Sequence, residues 1–506
     1  MAYRQIYQEQ DLSGFVTTQV DEVGAMVVKS IKGPTTPILC KSETDILKYF
    51  GVPSATYPEI FEAIAFISSA PCYVVSAVHE DALYGGIDIA ISGVVGFDTG
   101  RDIDTFDFST HLDLSHVFFA RSAYDDDLAG KVEYITGKQF KLTLYSKGTT
   151  GNQFITDYTY SLTNEKDAFG ASLYIFDVFD NDAYVIPRVN TNFAYENYGV
   201  SGSAVDFAGG DRGTDPTISD RTTAWDNFKF ANKYAANIMM DNTGDSTFVM
   251  NNIIQTYQPY ADGISTIPIG NNADEAKLYR ESLALDTDDV ALVTNWFKIK
   301  DNYNNSFAWV SMVGSVGKKY ALMGDAYNAA SPAGTDENGH GGQLTWWEVV
   351  DVENDYADPT DLKTLNEAQI NPIIKDPIYG TMLYGDRTLQ VANSDTSFIG
   401  TRRMYKYIAE KITTQVLKKQ EFKNNDANHR LTAKVLSAGL LEPIQADGWI
   451  RDFYVQCDEN NNNDDTVLNK RWFVEDIYIK VTPNSQFVQL RLTRLAQNQV
   501  IADFIK

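Results

Sequence analysis

Several stretches of this 506-residue chain have the residue types for chemistry, and each lacks the partners that the chemistry needs. Gly209-Gly210-Asp211-Arg212-Gly213 has the glycines of a phosphate loop but neither the Lys-Ser/Thr ending nor the dinucleotide spacing, and reads as a turn. Gly339-His340-Gly341-Gly342 has the composition of an oxyanion-hole loop, yet no Gly-x-Ser-x-Gly nucleophile elbow accompanies it. His79, His111, His116, His340 and His429 form no His-Glu-x-x-His pair. Asp98, Asp102, Asp104, Asp107, Asp113 and Asp125-Asp126-Asp127 miss the alternating offsets of a calcium loop. The run from Asp458 to Asp465 is a surface loop with oxygens for at most a weak cation site. A nucleophile, a base and an electrophilic stabiliser are never assembled, so no catalytic, cofactor-binding or metal-ligating residue is expected.

One charged pattern remains. Arg402, Arg403, Lys406, Lys411, Lys418 and Lys419 recur near three- and four-residue intervals, so several share a helical stripe. Ile408, Ile412 and Val416, spaced at four, form the side of that helix to be buried. The helix lies in a segment, 370–506, with 18 basic and 16 acidic residues, whereas residues 1–369 hold 24 and 52. A chain of net charge −26 repels polyanions over most of its surface, which argues against direct nucleic acid or anionic membrane as a partner. The neutral-to-basic end reads as an assembly domain. Cys40, Cys72 and Cys457 lack metal-ligand spacing and read as reduced, mostly buried thiols. Neither a signal peptide nor a membrane span is expected, because no apolar run approaches about 18 residues.

The elements that would position this stripe follow from periodicity. The polar and aromatic first 20 residues predict an extended arm. Ala25–Val28 and Thr35–Leu39 are strands, and Ser42 with Asp45 caps a helix that Gly51 ends. A second helix over Tyr57–Ser68 leads into the strand Cys72–Val78. From about 85 to 200, short runs (Ile87–Ile91, Gln139–Tyr145, Thr156–Leu162, Ala171–Val178) between Gly, Asp and Asn predict an acidic, β-rich insert. Helices at Thr223–Ala231, Ser246–Tyr257 and Ala273–Ser282 then alternate with strands at Ala235–Met240, Ile264–Ile269 and Phe307–Val313. That alternation implies βαβ units and a mainly parallel sheet. A helix reaching Ala329, the stop Ser331–Gly334, a polar loop at Thr335–Gln343 and a short helix at Leu362–Glu367 complete this part.

Seven motifs now occur in one order: Lys32-Gly33-Pro34 with Ser42–Asp45 and Tyr49-Phe50-Gly51; Cys72–Val78; Ser331-Pro332-Ala333-Gly334; Ile370-Asn371-Pro372-Ile373; Tyr384-Gly385-Asp386-Arg387-Thr388; Arg402-Arg403 with Tyr407-Ile408; and Val455–Asn461. On them the chain resembles the tail sheath proteins of contractile-tailed bacteriophages and related contractile injection systems. It departs at Ser76, where the family usually carries Arg, and at Phe422-Lys423-Asn424-Asn425, where the family tends to have Phe-Glu-Pro-Asn. The resemblance implies a mixed α/β (α+β) fold. Its inner sheath domain would comprise residues 21–84 and 360–495, with a middle α/β domain at 201–359 and the β-rich insert at 85–200 displayed outward. It implies a structural, non-enzymatic subunit of stacked six-fold rings in a helical sheath, with the tail tube, baseplate and tail terminator proteins as partners and no cofactor. The subunit would assemble in the host cytoplasm, reside in the virion tail, and contract to drive the tube through the host envelope for genome delivery. Under it, arms at residues 1–20 (Tyr3, Ile6, Tyr7) and 496–506 (Val500, Ile501, Phe504, Ile505) would add strands to neighbouring subunits, and the basic stripe would face the tube. Two alternatives stand beside it: the sheath of a bacterial extracellular injection system, and a cytoplasmic α/β enzyme with an acidic insert.

Overall fold

The computed structural model describes residues 22–482 except 91–92, 97–100, 102, 104–105, 123, 125–126, 137–138, 149–150, 181, 183, 192–202, 328–330, 335–343, 345–346, 357, 463–466 and 468–469. Both arms, the loop with His340, and Asp464 and Asp465 thus lie outside the described residues. Two compact units divide at residues 410 and 411.

The first unit opens with β1 (Gly24–Val28), β2 (Ile38–Cys40), α1 (Glu43–Phe50), α2 (Glu59–Ile67) and β3 (Cys72–Ser76). Helix α1 begins where the sequence places it, because the Ser42 hydroxyl accepts the Asp45 N–H, and it ends at Gly51, whose φ of 85° favours glycine. The insert follows with β4 (Gly86–Ala90), β5 (Gly93–Gly96), β6 (Leu114–Ala120), β7 (Leu128–Thr136), β8 (Gln139–Gly148), β9 (Gly151–Ser161), α3 (Ile175–Val178), β10 (Val185–Val189) and β11 (Val205–Asp206). Its strands form two antiparallel sheets, β10-β6-β4-β5 and β11-β7-β8-β9, over a shared core that includes Phe118, Phe140, Leu142 and Tyr160. Ala171–Val178 is not a strand: Ile175 and Val178 fall in the short helix α3, whose four residues are too few to show a helical period.

The chain then returns through α4 (Ile218–Asp226), β12 (Ile238–Asp241), α5 (Thr247–Tyr257), β13 (Asp262–Thr266), α6 (Ala273–Ser282), β14 (Val290–Thr294), β15 (Phe297–Asp301), β16 (Ser306–Val310), α7 (Val313–Tyr327), β17 (Val349–Val352), α8 (Pro359–Glu367), β18 (Ile370–Asp376), β19 (Gly380–Leu383) and α9 (Ile399–Gln415). Among the described residues eight strands form one sheet in the order β19-β18-β14-β13-β12-β1-β3-β2, in which only the outermost strands, β19 and β2, run antiparallel to their neighbours. One face packs on α1, α2 and α7 (Phe50, Phe61, Phe66, Val316, Tyr320). The other packs on α4, α5, α6 and α8 (Trp225, Ile253, Ala276, Leu365). Burying both faces explains the near-continuous apolar strands. The expected separation of 21–84 from 201–359 is corrected here, because β1 pairs with both β3 and β12 and makes the two segments one sheet.

Two contacts tie α2 to its neighbours. Glu59 on α2 holds Arg221 on α4 in a bidentate pair (2.6 and 3.0 Å) and accepts the Lys29 N–H. The Glu62 carboxylate accepts N–H groups of Met312 and Gly314 at the start of α7 (2.8 and 2.7 Å). Helix α7 comes so close to α2 that a Cβ on Gly314 would lie 2.0 Å from the Glu62 carbonyl oxygen. Gly314→Ala must push the helices apart, and urea unfolding should show a loss of about 3 kcal/mol.

The second unit contains the last turns of α9 and then α10 (Ala427–Ala446), β20 (Ile450–Gln456), α11 (Glu459–Asn462) and β21 (Asp476–Val481). β20 and β21 pair antiparallel, and α10 lies against β20. Among the described residues no helix is long and apolar enough to cross a membrane.

Candidate functional site

The sequence motifs converge on two places. The first is the start of α9. Asp262 opens β13, while Asp288 and Asp289 immediately precede β14, so these neighbouring parallel strands present their acids together at their starting ends. Arg402 meets Asp288 at 3.2 Å and Asp289 at 2.8 Å. Arg403 meets Asp262 at 2.9 Å and Glu22 at 3.7 Å, donates to the Tyr320 carbonyl, and stacks over that ring. Lys406 meets Asp289 at 3.0 Å and Asp262 at 3.3 Å and donates to the Ala261 carbonyl. Arg403 and Lys406 are only 3% and 4% exposed. Burial raises the Asp289 carboxyl pKa, but Lys406 and Arg402 outweigh it and bring the group down to about 2. The expectation that these charges face a tube is therefore corrected for Arg403 and Lys406. Their stripe was real, but it faces acids within the same unit. Lys418 and Lys419, in the short turn after α9, are exposed, and Lys411 is half-buried. Ile408, Ile412 and Val416 are buried, as their spacing predicts.

Two further motifs form one joint. The Asn371 carboxamide donates to the carbonyls of Leu292 and Arg387 (3.0 and 2.7 Å) and accepts the Arg387 N–H (2.7 Å). Gly385 leaves room for it, since a Cβ there would lie 2.7 Å from the Asn371 Oδ1. In the glycine turn at 209–213, Arg212 points into the sheet, donating to the Ser30 carbonyl (2.6 Å), the Ser76 hydroxyl (3.1 Å) and the Ala77 carbonyl. The guanidinium beside strand β3 thus comes from Arg212, at the position where Ser76 departs from the family pattern.

The second place is the β20–β21 hairpin. The Asn-rich run spends its amides on holding it. Asn462, fully buried, donates to the Val474 carbonyl and accepts the Val474 N–H (2.7 and 2.9 Å). Asn461 donates to the Gln456 carbonyl and to Asp476 (2.8 and 2.9 Å), tying the end of one strand to the start of the other. Asn425 reaches Asn462, the Trp472 carbonyl and Arg430, each at 3.0 Å, so the departure at Lys423-Asn424 leaves this contact intact. Sequence reasoning missed the role of these asparagines, although the unusual run itself was the available signal.

Among the described residues the hairpin has only two strands, and neither outer edge is paired. Two strands are marginal alone, and unpaired N–H and C=O rows are templates for a further strand. Tyr454 and Tyr478 sit opposite each other on it, 54% and 59% exposed, and Leu431 and Val435 project from α10 into solvent.

The enzyme alternative needs a pocket of partnered histidine and carboxylates. His79 pairs with Asp81 at 2.8 Å, but on an exposed loop where Asp81 also anchors the Thr214 N–H. His429 pairs with Asp426 at the α10 cap, and His116 is buried in the insert. His79 also lines an open cleft of about 770 Å³ with Glu80, Asp220 and Asp226, and a cleft of about 370 Å³ beside β1 and β12, walled by Trp296, Phe307 and Trp309, has Glu59 and Glu62 but no histidine or cysteine in its lining. Among the described residues no group of three His, Cys, Asp or Glu is placed to hold a metal.

The sequence is 23% identical over 371 residues to the tail sheath protein of Enterobacteria phage T4, covering 67% of this chain and 53% of that protein. It is 28% identical over 208 residues to the tail sheath protein of Vibrio phage KVP40, covering 40% and 29% respectively. The chain thus spans about half of the first relative's length and under a third of the second's. No family model matches. The sheath tail protein of Listeria innocua superposes with a TM-score of 0.54 over 87% of this chain and 89% of that one, at 11% identity. The chain has the tail sheath fold. In that fold the Asn371–Arg387 joint and the acid-clamped start of α9 belong to the first unit, and the two-stranded hairpin to the second.

Proposed function

We propose that this chain is a structural, non-enzymatic subunit of a contractile tail sheath. It polymerises as stacked six-fold rings around a tail tube, joins a baseplate and a terminator, and contracts to drive the tube through a host envelope for genome delivery. Assembly takes place in the host cytoplasm and the product resides in the virion tail. The observation that carries this reading is the hairpin of β20 and β21, whose outer edges are both unpaired among the described residues. The arms at 1–20 and 496–506, with Tyr3, Ile6, Tyr7, Val500, Ile501, Phe504 and Ile505, supply the strands that neighbouring subunits add to it. Strand addition gives backbone hydrogen bonds for cohesion and leaves each subunit a rigid body that can rotate.

Negative-stain electron microscopy of the purified chain, with and without residues 1–19, tests this. Rings or tubes that vanish on deletion are expected. Dispersed particles in both samples, unchanged by added tail tube, would count against the reading.

Exposed Lys418 and Lys419 are the remaining basic contacts for a tube. Each exposed pair contributes at most about 1 kcal/mol and is screened by salt. Reversing both with Lys418→Glu and Lys419→Glu should weaken co-sedimentation with tail tube at low salt by about tenfold, and much less at high salt. Equal binding by both forms at low salt would remove these lysines from the interface.

A further inference from the structure

Cys40 and Cys72 lie directly opposite each other where β2 pairs antiparallel with β3, beside the pairs Ile38 with Val74 and Leu39 with Tyr73. Both are free thiols, both are fully buried, and both belong to the same apolar cluster on one face of the sheet. Directly opposed residues of an antiparallel pair have Cα atoms roughly 4.5–5.5 Å apart, within the roughly 4.4–6.8 Å that a disulfide spans. β2 is also the outer strand of the sheet, is three residues long, and ends at Cys40, next to exposed Lys41. Short edge elements open locally at far lower cost than a whole domain. Fraying of β2 therefore exposes Cys40 while the rest of the sheet stays intact.

We propose that Cys40 and Cys72 are a latent cross-strand disulfide, which closes when the folded chain meets a low-molecular-weight disulfide as oxidant. The Cys40 thiolate attacks one sulfur of the oxidant, expelling one small thiol and leaving a mixed disulfide on Cys40. The Cys72 thiolate then attacks the Cys40 sulfur, forming the protein S–S bond and expelling the second small thiol. Two protein thiols are oxidised, one small disulfide is reduced to two thiols, and each protein S–H proton passes to the leaving thiolate.

Burial, with the Asp45 charge adding to it, pushes the Cys40 thiol up, and burial does the same to Cys72. The closed sheet is therefore inert, and reaction runs through the frayed state. Once formed, the bridge encloses residues 41–71, which carry α1 and α2, and fastens the edge strand. Such a pair stays reduced in a reducing compartment and locks in an oxidising one. The chemistry does not depend on the sheath reading.

The test is to incubate the full chain with oxidised glutathione, quench with acid, alkylate under denaturing conditions, and map peptides by mass spectrometry. Alkylatable thiols should fall from the three of the native chain to one, Cys457, with a Cys40–Cys72 cross-linked peptide that dithiothreitol removes. Cys72→Ser should instead trap a glutathione adduct on Cys40. A stable adduct on Cys40 of the unaltered chain without a cross-link would overturn the proposal, as would three alkylatable thiols after an exposure that fully modifies a small reference thiol. Mapping of the unaltered chain decides the matter even if the variant does not fold.

Discussion

Asp262→Ala is expected to destabilise the first unit by about 3 kcal/mol or more in urea unfolding, because it leaves buried cations without their acid. Arg403 would keep Glu22 at 3.7 Å and the Tyr320 carbonyl, and Lys406 would keep Asp289, so part of the network survives. The largest share of the loss comes from Arg403, whose guanidinium is nearly inaccessible to water and loses its closest carboxylate. A cycle with Arg403→Met separates the pair from its desolvation. Removing both partners should cost much less than removing Asp262 alone, since an apolar side chain has no charge to strand. A loss below about 1 kcal/mol for Asp262→Ala would mean that the cluster behaves as a screened surface pair.

Acidification should destabilise the insert, with His116 as the titrating group. His116 is fully buried between Ser115 and Tyr160, with ring nitrogens 2.9 and 2.7 Å from their hydroxyls. Burial pushes its pKa from 6.5 down to about 3. The unfolded chain therefore takes up a proton below pH 6.5 that the folded insert refuses. Stability is complete above that pH and falls as pH drops toward 3, by about 1.4 kcal/mol per unit and of order 5 kcal/mol in all. Glu62 acts with the opposite sign. Burial raises it from 4.5 to about 7, partly offset by the backbone N–H groups that it accepts, so its contribution is lost as pH rises across that window. Unfolding midpoints from pH 7.5 to 4, compared with His116→Phe, separate the two. The variant should lose the acid-side decline, and an unchanged pH profile would exonerate His116.

What the sequence could show was whatever depends on neighbours along the chain. Helix α6 forms over the residues predicted for it, and in the structure Asn272 and Glu275 cap each other reciprocally at its start. Helix α1 is bounded by Ser42 and Gly51 for the same kind of local reason. The basic stripe shows the limit of such reasoning. Spacing established that Arg403 and Lys406 share a face, but the acids that this face meets carry no local mark, since Asp262 lies 141 residues from Arg403. Strands β14 and β15 went unread as well, since their burial comes from βαβ packing and from the three-stranded sheet of β16, β15 and β17. The hairpin motif was visible as Val455–Asn461, but the use of its asparagines needs Val474 and Asp476 from the far strand.

The pairing of β1 with β12 bears on how the chain is made. Val23 at the start of β1 meets Asn237 across 214 positions of sequence. At about 5–20 residues per second, a ribosome takes on the order of 10–40 s to supply that partner. During this interval β1, β3 and β2 have emerged with the inner edge of β1 uncovered, while the insert between them has its own two sheets and core and is free to fold first. The nascent chain thus passes through a stage in which its insert is finished and its central sheet is half a sheet. Such a sticky edge gives cellular chaperones something to hold, and high-level expression something to aggregate through.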